Sequence, residues 1–230
     1  MSKYKASLHI HSAEDKNESF RIKHNVFDLI DHAYKKNFNV LALTFHNLYS
    51  YRQEFVDYAK GKGITLISGI EVSLYEDSND KKKCHTVILN CDKEVEKIKT
   101  FIDFRKYKQE HPEIFVISAH PFFGLGVSIG EKKLKKYINL FNAIEHSWFY
   151  NKLYNKNKKA QTIAQDFKKP FIATSDLHYL KHLDDDYIVV NATSLNTEAI
   201  LNSIKNFKYK NVSKPKSLFR LIKTMFLTYF

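Results

Sequence analysis

Hydrophobic and polar positions follow two rhythms along this chain. Short apolar, β-branched-rich runs recur at 5–10, 38–44, 64–70, 85–90, 114–118, 141–145, 170–174 and 187–191, the lengths expected of buried strands. Between most of them, apolar residues return every three or four positions. From Asn25 to Ala33 the apolar positions 26, 29, 30 and 33 share one face of a helical period. Tyr51 to Lys60, Lys93 to Lys108, Lys132 to Leu140 and Lys156 to Phe167 behave similarly. Such alternation predicts an α/β fold of parallel strands joined by right-handed crossovers. Several strands in succession end in polar, ligand-type residues, which favours a barrel with its site at the C-terminal rim over an open sheet.

Those strand ends carry the chemistry. The first run closes with Leu8-His9-Ile10-His11, and a late one leads into Ser175-Asp176-Leu177-His178. Side chains at i and i+2 of a strand point to one face, so each pair converges. Between them lie Thr44-Phe45-His46-Asn47, Gly69-Ile70-Glu71, His85 and Ala119-His120-Pro121. A lone strand histidine is more often a satisfied core residue than a ligand. Eight imidazoles and carboxylates at successive strand ends form a donor set suited to Zn, Mn or Fe.

The final stretch reads differently. Ser217 to Phe230 is apolar with two interspersed cations, and Leu218, Leu221, Ile222 and Met225 share a helical face after the break at Lys214-Pro215. It divides the chain into a main domain, 1–214, and a basic apolar tail helix, 215–230. The tail fits either an interfacial helix on a membrane or protein partner or a terminal helix packed back on the domain, the commoner arrangement.

Composition narrows the classes. Of 230 residues, 43% are hydrophobic and 14% aromatic, enough for one sizeable folded domain. Two cysteines, Cys84 and Cys91, are too few for a disulfide framework, and no secretory signal opens the chain. A reduced, cytoplasmic protein is the expectation. There is no internal repeat, nucleotide-binding glycine loop or 18-residue apolar span. The formal charge of +12, from 37 Lys+Arg against 25 Asp+Glu, favours phosphate-bearing ligands without naming one. Lysine runs such as Lys81-Lys82-Lys83 read as solvated surface.

Taken in order, the motifs resemble those of the polymerase and histidinol phosphatase (PHP) superfamily of metal-dependent phosphoesterases, over residues 7 to about 182. The resemblance implies a distorted (β/α)7 barrel whose rim binds two or three divalent metals, Zn, Mn or Fe, with Mg also admissible. It implies metal ligands at His9, His11, His46, Glu71, His85, His120, Asp176 and His178, with Asp15 as the ninth and Glu14 as its competitor. It further implies hydrolysis of a phosphomonoester or a nucleotide or oligonucleotide phosphate by metal-activated hydroxide, without a phosphoenzyme. His120, His178 and Asp176 are the expected catalytic groups, with a protonated His120 or His178 assisting the leaving oxygen. Arg21, Lys23 and His24, after the first motif, are candidates to grip a distal phosphate. The implied partners are a phosphorylated small molecule or a nucleic-acid end.

Two positions depart from the superfamily pattern. Ser7 and Phe45 stand where carboxylates are common, and such groups support ligands rather than bind metal. Residues 141–154 resemble an uncharacterised branch, where Glu145 and His146 either reach the site or simply end a strand. Two other classes compete: a metal-binding regulatory module with little turnover, motivated by Ser7 and Phe45, and a hydrolase of a non-phosphate bond.

Overall fold

A computed structural model describes residues 1–123 and 126–229, with side chains described as far as Lys223. Its strands form two five-stranded mixed sheets. The first has the order β10-β9-β1-β2-β3 and contains β1 (Ser2–Ile10), β2 (Val40–Leu43), β3 (Thr65–Ile67), β9 (Asp186–Ala192) and β10 (Tyr209–Ser213). The second runs in sequence through β4 (Gly69–Leu74), β5 (Cys84–Leu89), β6 (Phe115–Ser118), β7 (Ala143–His146) and β8 (Phe171–Ala173). Among the described residues, six α-helices connect the strands, α1 (Val26–Lys35), α2 (Gln53–Gly61), α3 (Phe101–Glu110), α4 (Gly130–Lys136), α5 (Asn157–Asp166) and α6 (Thr197–Lys205), and α7 (Leu218–Tyr229) follows the last strand.

The α/β class is as expected, but the all-parallel pattern is not. The pairs β1–β2, β2–β3, β6–β7 and β7–β8 are parallel, whereas β4–β5, β5–β6, β1–β9 and β9–β10 are antiparallel. The connection from Leu74 to Cys84 contains no helix. A link that short cannot return the chain to run parallel, so β5 turns back on β4. Nor do the described residues form a closed barrel. The sheets meet through single parallel bridges, His46 to Glu71 and Ile10 to Leu177.

Local chemistry explains the elements. Asn25 and Thr100 accept from the Asp28 and Asp103 amides while those carboxylates bond back, giving capping boxes that start α1 and α3. The predicted helix at Lys93–Lys108 divides, with a 3-10 turn at Lys93–Lys97 before α3. The single strand expected over 64–70 is broken between β3 and β4. A Cβ on Gly69 would stand 2.9 Å from the Leu43 carbonyl oxygen, so only glycine lets the chain cross this close to β2.

Burial is layered. Ala6, Leu8, Val40, Ala42, Ile67, Val87, Leu89, Phe115, Ile117 and Ile172 come from both sheets and form the core between them. The outer face of β2 and β3 packs on α1 and α2 through Leu41, Leu66, Leu29, Ile30 and Phe55. The outer face of β5 to β7 packs on α3 to α5 through Ile88, Val116, Ile144, Phe104, Leu134 and Ile163.

The tail begins docked on the domain. Lys216 and Asp186 form a buried pair at 2.6 Å, Arg220 meets Asp185 at 2.6 Å, and Leu221 is buried. Leu218, Phe219 and Ile222 are exposed, while the part of the predicted face carried by the Met225 side chain lies outside the described residues. No described helix is long and apolar enough to cross a membrane.

Candidate metal centre

The strand-end residues meet where the two sheets are bridged. Three steps along β1, from Ser7 to Ile10, match two along β2, from Leu41 to Leu43, an extra residue that re-aims the strand at the two histidines. Their backbone is held on both sides. Thr44 N donates to the Ile10 carbonyl (3.0 Å) and Ile10 N to Thr44 Oγ1 (2.9 Å), while His11 N and Leu177 N bond to Leu177 O and His9 O (3.0 and 3.1 Å).

Glu71 is the hub. Its Oε1 lies 3.0 Å from His85 Nδ1, 3.1 Å from His120 Nε2 and 3.3 Å from His9 Nε2. Its Oε2 lies 3.0 Å from His46 Nε2 and 3.4 Å from His11 Nε2. Asp176 Oδ1 approaches His9 Nε2 at 3.5 Å and His11 Nε2 at 3.4 Å. The His178 ring stacks 4.7 Å from that of His11, and its Nδ1 is 2.8 Å from the Asp176 carbonyl oxygen. The structure therefore brings together His9, His11, His46, Glu71, His85, His120, Asp176 and His178. His120 and Asp176 adopt positive φ, 24° and 44°, strain of the kind concentrated at functional sites.

A second layer fixes the rings. Glu145, wholly buried at the second-last position of β7, faces His9 Nδ1 at 2.8 Å. Its neighbour His146 points the other way, as strand alternation requires, and packs on Tyr150 and Phe171. Asp15 Oδ2 lies 2.9 Å from His11 Nδ1 and 2.8 Å from His46 Nδ1, and accepts the His46 amide at 2.9 Å. Its Oδ1 accepts the Asn17 amide. Asp15 thus sits behind the two rings, with their Nε2 atoms toward Glu71. Glu14, the competing candidate, accepts from Ser12 and the Val26 amide at the start of α1.

The departures from the superfamily pattern are also placed. Phe45 is buried beside Ile10, Leu43 and Leu177 on the face of the chain opposite His46. Ser7 meets Ser175 through their hydroxyls at 3.3 Å.

Do these residues suit divalent cations? His9 Nε2, His11 Nε2 and Glu71 Oε2 are buried within 3.0 to 3.5 Å of other donor atoms of the cluster yet make no well-aligned hydrogen bond, and His120 Nδ1 is buried without a partner. Buried polar atoms are rarely left so, and four clustered imidazole and carboxylate atoms are the donors that Zn, Mn or Fe require. Among the described residues, the three-residue sets with ligand atoms within 4.8 Å of one another are His9-His11-Glu71, His46-Glu71-His85, His11-Asp176-His178 and His11-Asp15-His46, the last of which includes the expected ninth ligand. The residues fit.

Electrostatics without cations agree. Burial pushes His46 down, but Glu71 and Asp15 outweigh it and raise it to about 10. His9 and His120 are likewise raised against burial, chiefly by Glu71. Glu71 and Asp176, although buried, are held well below the carboxylate range by surrounding histidines. Burial dominates at His85, which is lowered, and at His178, lowered to about 4. Burial also pushes the Cys84 thiol up to about 12, so it offers no ready thiolate.

The cluster floors a cleft of about 340 Å³ whose walls include Arg21, Lys83, Asn17 and Glu18. Lys83 belongs to a run that reads as plain surface, and nothing in its sequence context marks it. Of the three candidates for gripping a distal phosphate, Arg21 lines the cleft. Lys23 lies outside it, its ammonium on the Phe20 carbonyl. His24 Nε2 instead meets the His11 carbonyl oxygen at 3.1 Å, bracing the first motif from behind.

Solved structures resemble this arrangement of strands and helices. A two-domain protein from Bacteroides vulgatus containing a predicted PHP-like metal-dependent phosphoesterase aligns over 99% of this chain and 70% of its own, with TM-score 0.70 and 19% identity. The fold is that of the PHP-like phosphoesterases. A lesion-specific endonuclease from Pyrococcus furiosus aligns over 97% of this chain and 66% of its own (TM-score 0.64, 14% identity). An amidohydrolase from Chromobacterium violaceum, with bound sulfate and no metal, aligns over 89% and 97% (TM-score 0.56, 14% identity). No family model and no curated protein matches the chain. Identities this low carry the PHP-like fold and leave the chemistry to the site.

Proposed function

We propose that this chain is a metal-dependent phosphoesterase that hydrolyses a phosphomonoester or a phosphate of a nucleotide or nucleic-acid end. One observation carries the reading: buried imidazole and carboxylate atoms that make no well-aligned hydrogen bond converge beneath a cleft flanked by Arg21 and Lys83. His9, His11, His46, Glu71, His85, His120, Asp176 and His178 would hold two or three cations, with Zn, Mn or Fe best suited to the donors. Asp15 completes the set from behind by fixing His11 and His46, as Glu145 fixes His9. Bound cations would supply Lewis acidity and lower the pKa of water.

The chain's own residues supply the rest. Arg21 and Lys83 draw the phosphate in and offset its charge. His178, lowered to about 4 by burial, stays neutral, as a metal ligand must be, and its Nδ1 on the Asp176 carbonyl oxygen fixes the ring. His120 is raised beside Glu71, so a cation must displace its proton. Asp176 aligns His9 and His11. The buried thiols and unremarkable serines leave water as the nucleophile, without a phosphoenzyme.

Three finer points belong to the same proposal. Taking β3 and β4 as one bent strand, the bridges Ile10–Leu177 and His46–Glu71 support a distorted seven-stranded barrel. A 1–214 unit with a 215–230 tail, anchored through Lys216 to Asp186, belongs to the same reading. Two unpaired thiols support a cytoplasmic setting.

The test is direct. Protein loaded separately with Mn, Zn and Fe should hydrolyse an aryl phosphate or a short oligonucleotide, and Glu71→Gln should abolish turnover. A metal-replete protein inert across that panel would defeat the proposal.

A further inference from the structure

The metal cleft does not end at His178. Arg21 and His178 also line a second, open groove of about 460 Å³, whose other walls include Lys23, Tyr179 and Lys181. Among the described residues, no carboxylate lies within ion-pair reach of Lys23 or Lys181. Lys23 donates only to the Phe20 carbonyl (3.1 Å), and Lys181 sits 5.9 Å over the Tyr179 ring. Arg21 is only loosely paired, 3.7 Å from Glu18. The groove's one carboxylate, Asp28, already accepts the Asn25 amide in the cap of α1. A shallow shelf with two unpaired lysines, a loosely paired arginine and an aromatic ring, opening from the metal cleft, has the makeup of a surface that tracks a single strand.

We propose that the substrate is a single-stranded oligonucleotide, its scissile phosphate in the cleft and the neighbouring phosphate on the shelf of Arg21, Lys23 and Lys181. This rests on the phosphoesterase reading and sharpens its substrate class. A small phosphomonoester would use the cleft and leave the shelf empty. The shelf also assigns Lys23 a role outside the cleft, and it leaves His24 as a brace.

The decisive variant is Lys23→Glu/Lys181→Glu, two exposed changes. Lys106→Glu/Lys132→Glu, on α3 and α4, makes the same change in net charge elsewhere. With metal-loaded full-length protein, kcat/KM for a short oligothymidylate should fall about tenfold relative to that for 4-nitrophenyl phosphate in the shelf variant only. The log–log salt slope of oligothymidylate binding, read by fluorescence anisotropy, should shrink by about 0.7, the value for one lost phosphate contact on a single strand. Equal ratios and slopes in the two variants would overturn the shelf. If no loaded protein hydrolyses either substrate but the shelf variant alone loses binding, the shelf stands and the phosphoesterase reading falls.

Discussion

Replacing Glu145 by glutamine tests the layer behind the metal centre. Glu145 Oε2 is 2.8 Å from His9 Nδ1, and both side chains are fully buried. The carboxylate holds the Nδ1 proton and leaves Nε2 facing Glu71 and Asp176. Glutamine keeps the shape and can still accept that proton, but it removes the charge that makes the imidazole a better donor. Loss of such a partner typically weakens metal affinity 10- to 100-fold, or about 1.4–2.7 kcal/mol. Metal-free stability should fall as well, because Glu145 is one of the carboxylates that raise buried His9, and removing one partner of a buried charged pair is destabilising. The metal-free Tm of Glu145→Gln should therefore lie below the wild-type value, and the rise in Tm on adding metal should shrink in addition. Chelator competition gives the affinity and thermal unfolding the stabilities. Wild-type affinity in the variant would refute the reasoning, as would a loss of affinity that merely tracks a loss of stability.

Other expectations follow from the same geometry. His46 is held at about 10 without metal, so its stabilising charge is fully present below the unfolded value of ~6.5 and is lost as pH rises through 10. Cations must displace that proton; calorimetry in buffers of different ionisation enthalpy should show proton release, with affinity climbing with pH. Phe45→Asp, which writes the superfamily's carboxylate back, should cost at least the ~3–5 kcal/mol of a lost core phenylalanine, seen as a lower urea midpoint. Lys216→Ala strands buried Asp186 and should cost about 3–5 kcal/mol by the same assay, marking the tail's anchor as structural.

His9, His11, Asp176 and His178 were legible because each pair has a two-residue period at or just past a strand end, which survives any uncertainty about pairing, whereas Glu71 lies within β4 and His85 near the start of the reversed β5. Residues whose role depends on register were not. Glu145 and His146 are adjacent, and only the pairing of β7 decides which one faces His9. The antiparallel turn of β5 is set by a connector without a helix, and the break at Gly69 by a close approach to Leu43, neither of which periodicity reveals. Strand β10 escaped notice because Tyr209 to Ser213 is a largely polar edge. Lys83 and Lys181 look like every other lysine until the fold places them beside the cleft.

The central claim is that buried histidines, Glu71 and Asp176 form a multinuclear metal site. Elemental analysis of the protein, purified anaerobically without added metal, tests it most directly, with Glu71→Gln measured alongside. The account predicts two or three transition-metal ions per chain in the wild type and a clear loss in the variant. Fewer than one ion per chain, with no uptake on titration, would contradict it.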